Sequence, residues 1–295
     1  MAVSMRKQIA QNKRNTVLLM IIFVVFISLI GWIFAYFNNN YKILVWFFVI
    51  SFAYALIQYF LADRIAIASA GAKKIEKSDS PRYYKITEKL TSEAKIPMPR
   101  LYIIDDDAPN AFATGRNPNR ACIAVTTGLI EIMDDDELRA VICHELSHIK
   151  SYDIRINMIV FGLVSMVGLM SDFGMRVLLY SEREEEDNSP IGILFAFLTI
   201  ILSPFVASFV RLSISRQREY LADASSANMI GGPDDMISAL KKLDAHARPM
   251  HQQNVASASM FIADPLSKSV ISISKLFSTH PPIESRIERL ENAKK

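Results

Sequence analysis

Residues Thr16–Phe37 read TVLLMIIFVVFISLIGWIFAYF, 22 positions without a charge. A helix rising 1.5 Å per residue over that length crosses a hydrocarbon core of about 30 Å. A second run, Ile43–Ala62, has 20 residues, and Gln58 is its only strongly polar member. Trp32, Tyr36, Tyr41 and Trp46 gather around Asn38-Asn39-Asn40, where interfacial aromatics belong. The competing reading of the first run is a cleaved signal peptide. It is too long for such a peptide's apolar region, and no small-residue cleavage site comes after it.

Two further apolar blocks lie downstream. Ile191–Val210 is again 20 residues, with Pro204 as a tolerated kink. Met158–Met170 is shorter, and Asp172 and Arg176 interrupt its C-terminal continuation. By length it reads either as a span or as a buried helix. Charge sets the orientation. Residues 1–15 carry Arg6, Lys7, Lys13 and Arg14 and no acid, and Lys73, Lys74 and Lys77 come after the second run. Residues 172–190 hold six acids against Arg176 and Arg183. The positive-inside rule puts both termini in the cytoplasm and the acidic loop outside.

The remaining composition agrees. The chain of 295 residues is 51% hydrophobic, with a mean hydropathy of +0.21, oilier than a soluble domain needs. Two cysteines, Cys122 and Cys143, cannot build a disulfide framework, and a net charge of +3 gives nucleic acid no electrostatic footprint. The expected fold is an α+β membrane protein: a mainly helical domain with a small β-sheet, plus four transmembrane helices. Its parts are 1–62, a transmembrane hairpin; 63–155, cytoplasmic; 156–210, a second hairpin with the acidic outer loop; and 211–295, cytoplasmic.

Within 63–155, Ser80-Pro81 starts a helix with Tyr84, Ile86 and Leu90 at helical spacing, and Leu101–Ile104 and Arg120–Thr126 read as strands. The triplet Asp105-Asp106-Asp107 reads as a solvated loop rather than a metal site. Asp134–Lys150 has a complete helix start: Asp134 and Glu137 match a capping box, Met133 and Leu138 a hydrophobic staple. Further helices are expected over about Arg211–Ile230, Asp235–Ala247, and after Pro281-Pro282 with Ile283, Ile287 and Leu290 on one face.

The capped helix contains His144-Glu145-Leu146-Ser147-His148, in a chain with only five histidines. Positions i and i+4 share a helix face, so two imidazoles can converge on one Zn²⁺, with Glu145 beside its open position. A catalytic zinc takes three protein ligands, and Glu219 supplies a candidate. Asp223, one turn on, is placed to accept a hydrogen bond from the outer nitrogen of a ligand histidine. Alone, Glu219 and Asp223 would read as a solvated acidic face. Because His144 and His148 precede the third and fourth blocks and Glu219 lies beyond them, one ion can bind all three only if an even number of crossings intervenes. Cys143, about 100° around the helix, reads as packing.

With these motifs in place, the chain resembles the HtpX-type membrane zinc metalloproteases, in the wider group that includes type I CAAX-prenyl proteases. The resemblance spans the paired N-terminal runs, Asn110–Gly115, His144–Asp153, Ser215–Asp223 and Phe277–Glu284. It implies that the mainly helical domain is a zincin-like catalytic domain, with one Zn²⁺ per chain held by His144, His148 and Glu219 and with Glu145 as general base in peptide-bond hydrolysis. It makes 110–115, including Asn110, Phe112 and Thr114, and 121–126 candidate substrate-cleft elements; 121–126 reads equally as an interior strand. Asp153 resembles a position that orients the motif helix. His280 reads either as an oxyanion contact or as structural. The implied setting is the plasma membrane, with unfolded or membrane polypeptides as substrates and quality control as the role. The rivals are a prenyl-dependent CAAX protease, for which four spans are too few to enclose a chamber, and a zinc-holding scaffold. An intramembrane site-2-type protease is disfavoured because Lys150, Asp153 and Arg155 come so soon after the motif.

Overall fold

The computed structural model describes residues 2–181, 216–252, 255–258, 260–266 and 281–294. Two long helices lead, α1 (Ala2–Phe37) and α2 (Lys42–Ser69). Both are long and apolar enough to cross a bilayer, and only 28% and 17% of their most apolar windows is buried. That separates them from core helices of a soluble domain, which would be mostly covered. Val17, Ile21, Val25 and Leu29 on α1, and Val45, Phe48, Phe52 and Phe60 on α2, present a continuous apolar surface outward.

Their inner faces meet each other and α6 (Asp153–Ser181). Leu19, Phe23, Ile27 and Ile30 from α1 pack with Ile156, Ile159, Val160 and Leu163 from α6. From α2 the contact stripe is Ser51, Ala55, Ala62 and Ala66, small residues that let helix backbones approach. Gly162 of α6 lies against Gln58, so a side chain there would collide with it, and the Tyr54 hydroxyl donates to the Gly162 carbonyl at 2.6 Å. The third apolar block is thus helical, and Asp172 and Arg176 are exposed on α6 without ending it. The fourth block and residues 182–190 of the acidic loop lie outside the described residues, so two candidate spans are observed and the count of four is not.

Outside these helices lies a sheet ordered β1 (Lys73–Lys74), β2 (Arg100–Ile104), β4 (Cys122–Thr126), β3 (Ala111–Thr114). β2 and β4 run parallel, the outer pairs antiparallel. β4 is buried at every position, as expected of a strand covered on both faces. Residue alternation splits the sheet's two sides. Leu101, Ala111, Ala113, Ile123 and Val125 join the core with α3 (Pro81–Ala94) and α5 (Asp135–Ser151). Ile104, Phe112, Cys122 and Ala124 instead meet Ala66 and Ile67 of α2 and Phe161 of α6. The sheet is therefore the layer between α3 and α5 on one side and the bases of the apolar helices on the other.

Two local expectations change. On α3 the buried stripe is Tyr83, Thr87, Leu90 and Thr91; Tyr84 and Ile86 only flank it, because the hydroxyls of Thr87 and Thr91 return to the carbonyls one turn back and so tolerate burial. The segment 121–126 has no open edge, since β2 and β3 pair with β4 on both sides. The chain then passes through α4 (Thr127–Ile132) into α5. Beyond α6 come α7 (Arg216–Ile230), α8 (Asp234–Ala245), the short α9 (Val255–Ala258) and α10 (Ile283–Asn292).

Candidate metal centre

The capping box read from sequence sets the start of α5. Asp134 Oδ1 accepts from the amides of Asp136 and Glu137 at 3.1 and 2.9 Å, and Glu137 Oε2 accepts from the Asp134 amide at 2.9 Å. From that fixed start, His144 and His148 fall on one face, one turn apart. Their rings stand nearly perpendicular, with centroids 4.8 Å apart. Their Nε2 atoms face each other at 3.1 Å. α7 packs across α5, pinned where the Ser226 hydroxyl donates to the Ala140 carbonyl at 2.7 Å. It brings Glu219 in, with Oε2 3.6 Å from His144 Nε2 and Oε1 3.6 Å from His148 Nε2.

The outer nitrogens explain why these inner ones are the pair offered to a metal. His144 Nδ1 lies 2.9 Å from Asp223 Oδ1 and His148 Nδ1 lies 3.2 Å from Asp153 Oδ2. A carboxylate can only accept, so each Nδ1 carries a hydrogen, and Nε2 is the nitrogen left to turn inward towards a metal. Two imidazole nitrogens and a carboxylate, all buried, converge on one point, an arrangement that a cation satisfies in place of a shared proton. Ligands of a tetrahedral zinc at 2.0–2.1 Å stand about 3.3 Å apart, and the observed 3.1 and 3.6 Å bracket that value. The donor set therefore fits Zn²⁺ in size and chemistry. Among the described residues it is the one such cluster.

Charge at the site is set by the same partners. Burial pushes the His148 imidazole down, but the Glu219 and Asp153 carboxylates outweigh it and hold it up at about 9. His144 is raised too, burial being overcome by Asp223 and Glu219. Asp223 is held down at about 2: burial would raise it, and the Arg286 guanidinium overrides that. Glu145, 2% exposed, sits close enough to add to the upward pull on His148. Burial raises the Cys143 thiol to about 12, in keeping with a packing role in the α5 core.

Some expected residues sit elsewhere. Asn110 is buried and occupied: its Nδ2 donates to the Ala263 carbonyl at 2.9 Å, and its Oδ1 accepts from the amides of Ala111 and Ala263. Phe112 is buried edge-on against Phe261, and Thr114 is fully covered. The outer edge of β3 is met at Phe112 by an antiparallel bridge to Phe261. His280 lies outside the described residues. Asp106 is no part of a solvated loop; it is 4% exposed and accepts from the Ala108 and His251 amides.

Two residues around the centre were missed in the sequence. Arg286 is 1% exposed and grips Asp223 with a fork, Nε to Oδ2 at 2.9 Å and Nη2 to Oδ1 at 2.7 Å, while Nη1 donates to the Ile262 carbonyl at 3.1 Å. Its signal was available: Arg286 interrupts the Ile283, Ile287, Leu290 face at a core-facing position. Asn12 is the other, buried at the base of α1.

The sequence model of peptidase family M48 matches residues 77–294. The chain belongs to peptidase family M48. Relatives include the protease HtpX homologue of Tropheryma whipplei (strain Twist), 43% identical over 283 residues and 96% of each chain. That of Streptococcus pyogenes serotype M49 is 44% identical over 296 residues, covering 97% of this chain and 99% of its own. In fold, the M48 chain resembles the crystal structure of S. mikatae Ste24p, with a TM-score of 0.50 and 21% identity over 97% of this chain and 67% of that one. As a member of M48 with two exposed apolar helices, this protein is a membrane metalloprotease. The same neighbour supports a mainly helical body with a small mixed sheet.

Proposed function

We propose that the protein is a zinc endopeptidase of the plasma membrane, multi-pass, that cuts unfolded or membrane polypeptides on the cytoplasmic side. His144, His148 and Glu219 would hold one Zn²⁺, and Glu145 is the general base. The observation that carries this is the convergence of two imidazole nitrogens and a carboxylate at zinc-ligand spacing beside a buried glutamate. When bound, zinc lowers the pKa of a water from about 15.7 to about 7 and polarises a carbonyl oxygen. The protein does the rest. Glu145 takes the proton of the attacking water and returns it to the departing amine. Asp223 and Asp153 keep both imidazoles in one tautomer and orientation.

The cytoplasmic placement is supported by charge and packing together. Asn12, in the basic stretch before the first apolar run, touches Ser151 and Asp153, so the start of α1 and the metal centre share a side. The excess of lysine and arginine there makes that side the cytoplasm. The four-span count rests on the apolar block 191–210.

The test is digestion of casein by the purified, detergent-solubilised chain, with and without a zinc chelator. Cleavage that the chelator stops and zinc restores is expected. A fully zinc-loaded protein that cuts nothing would make it a metal-holding scaffold, and one that cuts only prenylated peptides would make it a CAAX-type protease.

Metal uptake should also depend on pH in a definite direction. His148 has a folded pKa near 9 against an ordinary 6.5, so its proton stabilises the metal-free fold below pH 6.5 and that contribution is lost as the pH climbs through 9. Zinc must displace that proton. Affinity should therefore rise about tenfold per pH unit for each proton displaced as the pH rises towards 9, with protons released on binding. Chelator competition across that range reads it, and a flat profile would mean the imidazoles are already bare.

A further inference from the structure

We infer that Asn12, at the base of the first membrane helix, is a positioning residue of the metal centre, holding through Asp153 the imidazole of His148. The inference rests on the metal reading above and deepens it, since it ties metal retention to a helix that no ligand belongs to.

Asn12 is 2% exposed. Both hydrogens of its amide nitrogen are used, on the Ser151 carbonyl at 2.9 Å and on Asp153 Oδ1 at 2.7 Å. Both partners can only accept, so the nitrogen, not the oxygen, must face them. The other oxygen, Asp153 Oδ2, accepts from the Ser151 hydroxyl at 2.7 Å and faces His148 Nδ1 at 3.2 Å. A carboxylate held at one oxygen only can swing about its own axis. Held at both, it presents a fixed acceptor to the ring, which sets the direction of the inward lone pair on Nε2. Arg218 approaches Oδ1 at 3.6 Å, too far to replace a hydrogen bond of 2.7 Å.

The joint is built from the helix side as well. Lys13 Nζ sits 4.4 Å over the Tyr152 ring, whereas the Thr16 hydroxyl stays within α1, donating to the Asn12 carbonyl at 2.8 Å, and takes no part in the joint. Tyr152 is the left-handed residue, φ 64°, that closes α5 before α6 begins. The base of α1 thus clasps the elbow between the helix bearing both histidines and the third apolar helix. Asn12 also occupies the inner stripe of α1, which continues as Thr16, Leu19, Phe23 and Ile27. A leucine would suit that stripe for packing, and an asparagine there is explained by what it holds.

The test uses the full chain in detergent, loaded with zinc, comparing wild type with Asn12→Leu, the smaller Asn12→Ala, and Thr16→Val, which removes a hydrogen bond one turn away without touching Asp153. Zinc transfer to a chromophoric chelator is timed, the visible spectrum of the Co²⁺-substituted protein is recorded, and the Tm of the metal-free protein is measured. Outer partners of ligands are worth about 10- to 100-fold in metal affinity. Asn12→Leu and Asn12→Ala should release zinc about tenfold faster or more and shift the Co²⁺ spectrum, with the metal-free Tm and Thr16→Val near wild type. Release at the wild-type rate overturns the inference. So does acceleration shared equally by Thr16→Val, or matched by a fall in metal-free Tm, since either makes Asn12 a structural anchor only. A wild type that takes up no zinc overturns the metal reading itself, a result distinct from wild type and Asn12→Leu holding zinc alike.

Discussion

Glu145→Gln should keep zinc at one per chain while peptide hydrolysis falls by about 10²- to 10⁴-fold, the usual worth of a general base. The substitution is nearly isosteric, and Glu145 is buried on a helix whose neighbours are all packed, so the fold has no reason to change. About 100° separates consecutive residues around a helix; Glu145 therefore borders the three ligand atoms without joining them, and the cluster within reach of one ion is His144, His148 and Glu219. The glutamine can still accept a hydrogen bond from a water but cannot take its proton. Metal analysis and casein digestion on one preparation read both halves. Near-normal turnover would remove Glu145 from the reaction. Loss of zinc along with activity would make it a determinant of metal binding instead.

What could be read from the chain alone divides by range. The start of α5 was legible because its determinants, Asp134 and Glu137, lie three residues apart and make the bonds the pattern names. The face carrying His144 and His148 was legible for the same reason, and Glu219 and Asp223 came from ligand chemistry and a one-turn spacing. The residues that hold those aspartates were not. Arg286 lies 63 positions from Asp223, and Asn12 lies 141 from Asp153. Periodicity says which side of a helix is buried and nothing about what it is buried against. The segment Asn110–Gly115 shows the converse. Its residues stood out, but their use is internal: Asn110 ties β3 to Ala263, 153 positions away, and Phe112 packs on Phe261, contacts so distant in sequence that they leave no local trace.

Arg286→Leu should be the most damaging single change to the fold around the centre. It leaves Asp223, 1% exposed, without its fork, and breaking a buried ion pair by removing one member costs about 3–5 kcal/mol. At about 2–4 °C per kcal/mol for a chain of this class, Tm should fall by about 10 °C. The sign of the acid response comes from Asp223. Its depressed pKa of about 2 against the ordinary 3.8 stabilises the native state above that ordinary value, and the stabilisation is lost as the pH falls through 2. Without the guanidinium the carboxyl protonates at milder acid, and a protonated Asp223 no longer holds His144 Nδ1–H as firmly, so zinc should leave about 10- to 100-fold faster. Arg286→Lys keeps the charge and loses the fork, and should fall between the two. The decisive comparison is the double variant Arg286→Leu with Asp223→Leu. Removing both members of a buried pair spares the orphaned charge, so thermal stability should recover much of the way, whereas zinc retention should not, because His144 then has no acceptor to fix its tautomer. Recovery of both would mean that Asp223 and Arg286 serve the fold alone; recovery of neither would place the damage in packing around α10.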